Sequence, residues 1–140
     1  MSLMVPLRNK LLLFFLFLFS SLMNSHVFAE DVDPASTAYI ELTPSFIVNN
    51  ISDGSKLTYI KTNISLRTSE AQRALIEANM PLVQDALVMF LSSRTNAQVT
   101  GAIAREATRA AGAVAVNEAL QAETGTSPIQ DILFSSFVTQ

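Results

Sequence analysis

Between Ala38 and Thr43 apolar and polar side chains alternate, with Ala38, Ile40 and Leu42 set against Tyr39, Glu41 and Thr43. A period of two predicts a half-buried strand. Pro44 cannot donate to a ladder, so the strand must bend there or lie at a sheet edge before Phe46-Ile47-Val48 resumes it. Ser52-Asp53-Gly54-Ser55 predicts a turn. From Lys56 to Arg67 the alternation returns, with Ile60, Thr62, Ile64 and Leu66 on one face and Tyr59, Lys61, Asn63, Ser65 and Arg67 on the other. So short a connection permits only antiparallel pairing, and the two segments form a hairpin.

The period changes at Ser69-Glu70, where Ser69 suits an N-cap and Glu70 suits the positive end of a helix dipole. Ala71, Ala74, Leu75 and Ala78 predict a helix over 70–79, and Pro81 opens a second one carrying Leu82, Val83, Leu87, Phe90 and Leu91 to Ser92. Ala86 to Leu91 is apolar around the whole helix, which implies cover on more than one side. One sheet covers one side. Leu87, Met89 and Phe90 are therefore candidates for a subunit interface, with ordinary core as the alternative. Asp85 and Arg94 are weaker partner-contact candidates, since a helix-start acid and a solvated arginine each have ordinary structural reasons.

Thr95 or Asn96 caps a third helical segment running to about Glu123, with Gly101 and Gly112 as poor helix formers inside it. It is mostly alanine, with Ile103, Val114 and Leu120 as the larger expected contacts, so it should be the softest element. Gly125 and Pro128 end it and introduce a last strand over Ile129 to Val138. Strict alternation puts Ile132, Phe134 and Val138 on one face and Leu133 and Phe137 on the other, so this strand is central or lies at an interface. At most one of Phe134 and Phe137 is then core, and the other is an interface candidate. The order predicts an α+β domain, an antiparallel sheet with helices on one face.

Five of the nine phenylalanines lie in the first 29 residues, which form a separate object. Arg8 and Lys10 make a basic head, Leu11 to Phe19 an apolar stretch, and Val27-Phe28-Ala29 a cleavage sequence. Residues 1–29 read as a signal peptide, or, if cleavage fails, an uncleaved membrane anchor, the apolar stretch being shorter than the roughly 20 residues a span needs. Either reading exports the rest. Residues 30–37, with Glu30, Asp31, Asp33 and Pro34, form a flexible lead-in, and 38–140 the folded domain.

Two of the nine basic groups lie in the leader and none of the 12 acidic ones does, so the exported part is net acidic. That argues against nucleic acid as a partner. His26, the one histidine, also lies in the leader, and the chain has no cysteine. Triad chemistry, thiolate catalysis and the usual transition-metal ligands are thereby removed, and no cofactor is expected. Glu41, Glu70, Glu77, Asp85 and Glu106 remain for carboxylate chemistry. They show no recognisable pairing, and so small a domain is expected to have little room for a pocket of about 300 Å3.

Several blocks, in order, carry a resemblance to the flagellar basal body-associated FliL family: Ala38 to Leu42 followed by Phe46 to Asn49, then Ile64-Ser65-Leu66. Met80 to Leu87 running on through Leu91 to Thr95 is the most specific block, and Phe134 to Gln140 closes the set. The resemblance spans about residues 38–140. It implies a non-enzymatic periplasmic domain of stomatin-like (SPFH-like) fold, assembling as a ring or arc beside the flagellar stator, of the MotA/MotB type, and supporting motility. It implies a location at the basal body, tethered to the inner membrane only if the leader stays uncleaved. The short leader and the alanine-rich third helix differ from the family's usual membrane helix and larger side chains. The competing reading is a periplasmic oligomeric adaptor unconnected with the motor.

Overall fold

The structure is a computed structural model and describes residues 33–140 apart from Asp53 and Ser55. The leader and residues 30–32 lie outside the described residues, as do two positions of the expected turn. β1 (Thr37–Asn50) and β2 (Thr58–Ser69) pair antiparallel; α1 (Glu70–Ala78), α2 (Met80–Ser92), the short α3 (Asn96–Val99) and α4 (Ala102–Thr124) follow. β3 (Asp131–Thr139) returns antiparallel to β2, giving the order β1-β2-β3. The domain is α+β: α2 packs over β1 and α4 over β3, and the two helices pack on each other.

The hairpin follows the alternation. Ile60, Thr62, Ile64 and Leu66 are fully buried against the helices, while their neighbours face the other way. At Pro44 the register shifts so that Leu42 pairs with Ile64 and Phe46 with Thr62, three residues standing opposite Asn63. The strand thus bends and lies at an edge, and Leu42 and Phe46 keep the same face.

The last strand differs from its prediction. It is an edge strand, and β2 is the central one. Asn63 pairs with Ser136 but Ile64 pairs with Phe134, so Ser135 is an extra, unpaired residue. One inserted residue reverses the alternation. Phe134 and Phe137 therefore face the same way, opposite Ile64 and Thr62, with ring centroids 4.8 Å apart, and both pack against the core. Val138 pairs with Lys61 and moves to the open face. The two-sided apolarity of the sequence came from a bulge.

Helix ends also depart in detail. Ser69 makes no side-chain cap on α1. Instead the carbonyls of Ser36 and Pro34 accept from Glu70 and Ala71 backbone N–H at 2.8 and 3.0 Å, so part of the expected flexible lead-in is tied into the fold. Thr95 does cap α3: its hydroxyl accepts from Gln98 N while Gln98 Oε1 accepts from Thr95 N. The long alanine helix is cut at Gly101, whose φ of 90° breaks the helical path.

On α4 the packing side is Thr108, Gly112, Val116 and Leu120. The expected contacts Ile103 and Val114 are exposed, Ile103 at 89%. Four-residue spacing of the buried positions, and the missing side chain at Gly112, set a phase that a count of large residues does not reveal. Each buried threonine has a partner: Thr62 donates to the Ser136 carbonyl, Thr68 to Pro128 and Thr108 to Gln98, at 2.6 to 2.8 Å.

Candidate interaction surface

The Pro81-started helix places its candidates in different surroundings. Leu87 is fully buried between sheet and α4, so it belongs to the core of this chain and not to an interface. Val83 and Leu91 join it one helical turn away on either side. Phe90 is half-buried, packed against the same core and close to Gly112 of α4. The reason is α4 itself, which covers the flank of α2 that one sheet leaves bare. Met89 (64% exposed) and Val88 (39%) are what remains on the surface. Asp85 is exposed on the first half of the same helix.

Arg94 lies just past the helix end. Its guanidinium carbon sits 4.5 Å from the Phe90 ring centroid, and Nη2 donates to Ser93 Oγ at 3.1 Å. Its Nε is buried without a partner. The Arg94 carbonyl accepts from Ile51 N at 2.9 Å, which ties the end of β1 to the end of α2. Beside it, Ala104, Ala107 and Ala111 of α4 leave a groove of about 370 Å3. A second groove of about 230 Å3 joins Ile47 of β1 to Val88 of α2, two exposed apolar residues absent from the candidates the sequence singles out. Alternation about Phe46 and Val48 is the signal that turns Ile47 outward. A third, about 370 Å3, runs between the start of α4 and Leu133 to Phe137. Small side chains on α4 leave these clefts open at the surface.

The acidic side chains among the candidates for carboxylate chemistry are partly engaged with arginines. Glu70 and Glu77 reach Arg73, and Glu106 reaches Arg109, which also bridges to Asp131 of β3. Side-chain hydrogen bonds from Arg73 and Arg109 hold the Glu70 and Glu106 carboxyls below their ordinary range. Among the described residues no group of three or more His, Cys, Asp and Glu is placed to hold a metal ion. Among the same residues no single helix is long and apolar enough to cross a membrane.

The family description "Flagellar basal body-associated protein FliL" matches residues 39–140, nearly three quarters of the chain. This chain belongs to the FliL family. Among curated proteins none matches it. The match covers the hairpin from Tyr39 onward, all four helices and β3, so the resemblance seen in the separate blocks extends through the α4 region that departs in composition. Membership makes the protein a flagellar basal-body accessory protein. Leu87 is buried within the chain, whereas the exposed part of α2 and the outer face of the sheet lie at its surface.

Proposed function

We propose that this FliL-family protein works in the periplasm as an oligomeric accessory of the flagellar stator, assembling as a ring or arc and supporting motor output without chemistry of its own. The observation that carries this reading is the family match over residues 39–140. A one-sided helical layer that leaves the far face of the sheet open is consistent with a stomatin-like (SPFH-like) assembly unit. The leader is its export signal, and retention at the inner membrane follows where cleavage fails.

The mechanism is preferential binding. A scaffold that holds the active stator conformation more tightly than the plugged one shifts that equilibrium by its differential affinity alone. Residues of the exposed α2 surface, Met89 with Asp85 beside it on the helix, are the contact candidates there. Deletion of the gene followed by swimming in soft agar and in viscous medium tests the function. Reduced spreading, greatest under load, is expected; unchanged motility in both media refutes it. For assembly, Met89→Asp is expected to leave the fold intact and reduce particle size in light scattering. Phe90→Asp tests folding instead, because Phe90 packs on the core.

A further inference from the structure

The two edges of the sheet are built differently. On β1 the Tyr39 carbonyl accepts from Arg73 Nη1 at 3.4 Å and the Thr43 carbonyl from Gln84 Nε2 at 3.3 Å. The bulge at Thr43 to Ser45, three residues against one, further distorts that edge. It is blunted against pairing. On β3 the inward pattern is set by Tyr59 and Gln140, which exchange both backbone hydrogen bonds at 2.8 and 3.0 Å. Antiparallel alternation then turns the peptide groups of Val138 and Ser136 inward to Lys61 and Asn63, and those of Thr139 and Phe137 outward. Further back, Ile132 is served within the chain: Asp131 Oδ1 accepts from its N–H at 2.9 Å, and Arg109 donates to its carbonyl. For Phe137 and Thr139 no such partner exists among the described residues.

Beside this open stretch runs the groove of about 370 Å3 between Ala102, Arg105 and Arg109 of α4 and the Phe134 to Phe137 segment. Its two arginines differ. Arg109 is paired with Glu106 and Asp131. Arg105 is exposed, lies 5.6 Å from the Phe137 ring centroid and has no carboxylate partner among the described residues. An unpaired edge with a free cation beside it matches a main-chain ladder plus one acidic side chain, the combination in which peptide bonds give affinity and a side-chain pocket gives choice.

We propose that the outer edge of β3 accepts an extended segment of a different protein as a fourth strand, with an aspartate or glutamate of that segment seated on Arg105. A second copy of this chain fits poorly. Its β1 edge is blunted, and symmetric β3–β3 pairing brings each Arg105 toward its own twin. Such a segment fits this edge whichever protein supplies it.

The test uses the full chain in mild detergent and a fluorescein-labelled peptide in which valine and threonine alternate around one central glutamate. Fluorescence anisotropy is expected to rise saturably. N-methylation of the alternate amides on one side of the peptide abolishes binding, while methylation of the other side leaves it, since only one side faces β3. Arg105→Glu lowers affinity at least about tenfold and reverses the preference toward a peptide with lysine in place of glutamate. Thr139→Pro removes one outward N–H without touching the β2 ladder and weakens binding with unchanged unfolding. No saturable binding, equal loss from methylation on either side, or indifference to Arg105→Glu overturns the proposal. So does exclusion of the peptide by self-association, seen as concentration-dependent growth in light scattering that Thr139→Pro abolishes.

Discussion

Gly112 lies in the middle of α4, a position where glycine ordinarily costs about 1 kcal/mol relative to alanine. Here the missing side chain is what allows the helix to close on its neighbours. A Cβ added at this position would lie 2.5 Å from Ile132 Cδ1 and 3.3 Å from Phe90 Cε1. Ile132 is fully buried, so its methyl has little room to retreat, and overpacking of this kind costs about 1–3 kcal/mol. The helix gain offsets part of that, and Gly112→Ala is expected to lose about 1 kcal/mol net. Ile132→Val alone removes the clashing methyl and costs about 0.5–1.5 kcal/mol. In the Ile132→Val background the methyl introduced by Gly112→Ala enters the vacated space, and the substitution keeps its propensity gain. Gly112→Ala should therefore destabilise the native protein and stabilise the Ile132→Val variant, a coupling of about 1–2 kcal/mol within the range measured for touching residues. Urea unfolding followed by circular dichroism on the four proteins gives the cycle, and thermal midpoints should move by about 4–8 °C per kcal/mol. A gain in stability from Gly112→Ala in both backgrounds, or additive effects, would refute close contact between α4 and β3 at this point.

Three further outcomes separate core from surface. Leu87→Ala should cost about 2–5 kcal/mol, whereas Met89→Ser should change stability by no more than about 0.5 kcal/mol, both read from denaturant midpoints; similar costs would contradict the division of α2 described above. Asn117 holds the segment before β3 by accepting from Ile129 N at 2.9 Å and donating to the Ile129 carbonyl at 2.8 Å, so Asn117→Ala should cost about 1–3 kcal/mol and speed amide exchange at Ile129. The carboxyls of Glu70 and Glu106 are held below their ordinary values mainly by hydrogen bonds from Arg73 and Arg109. Their contribution is therefore present above the ordinary carboxylate range and fades as pH falls through the lowered folded values. Glu70→Gln with Glu106→Gln should flatten the acid limb of the stability curve, and an unchanged limb would show that these pairs contribute nothing measurable.

Much of the fold was readable because burial leaves a local signature. The two faces of β2 follow from simple alternation, since each strand residue has one neighbour environment per side. Pro44 announced an edge or a bend, and the structure has both; a cap at Thr95 or Asn96 and the glycine end at Gly125 were visible as single residues with stereochemical roles, Thr95 being the one that caps. The interaction surface was less readable. Apolar excess on α2 pointed to a second subunit, but α4 of the same chain covers most of it, leaving Met89 and Val88 outside. Arg105, without a carboxylate partner among the described residues, was ordinary in sequence, and only its neighbour Phe137 and the open edge give it meaning.

The amino-acid order by itself determined the α+β class, the hairpin, the Pro81 helix start, the absence of histidine and cysteine from residues 30–140, and the family. These depend on local periodicity, on composition and on blocks of residues in fixed order. Tertiary structure alone decided the position of β3 at an edge, the common face of Phe134 and Phe137, and the burial of Leu87. A one-residue bulge reverses the phase of a strand without altering its composition, and a helix distant in sequence fills a flank that no local window can see occupied.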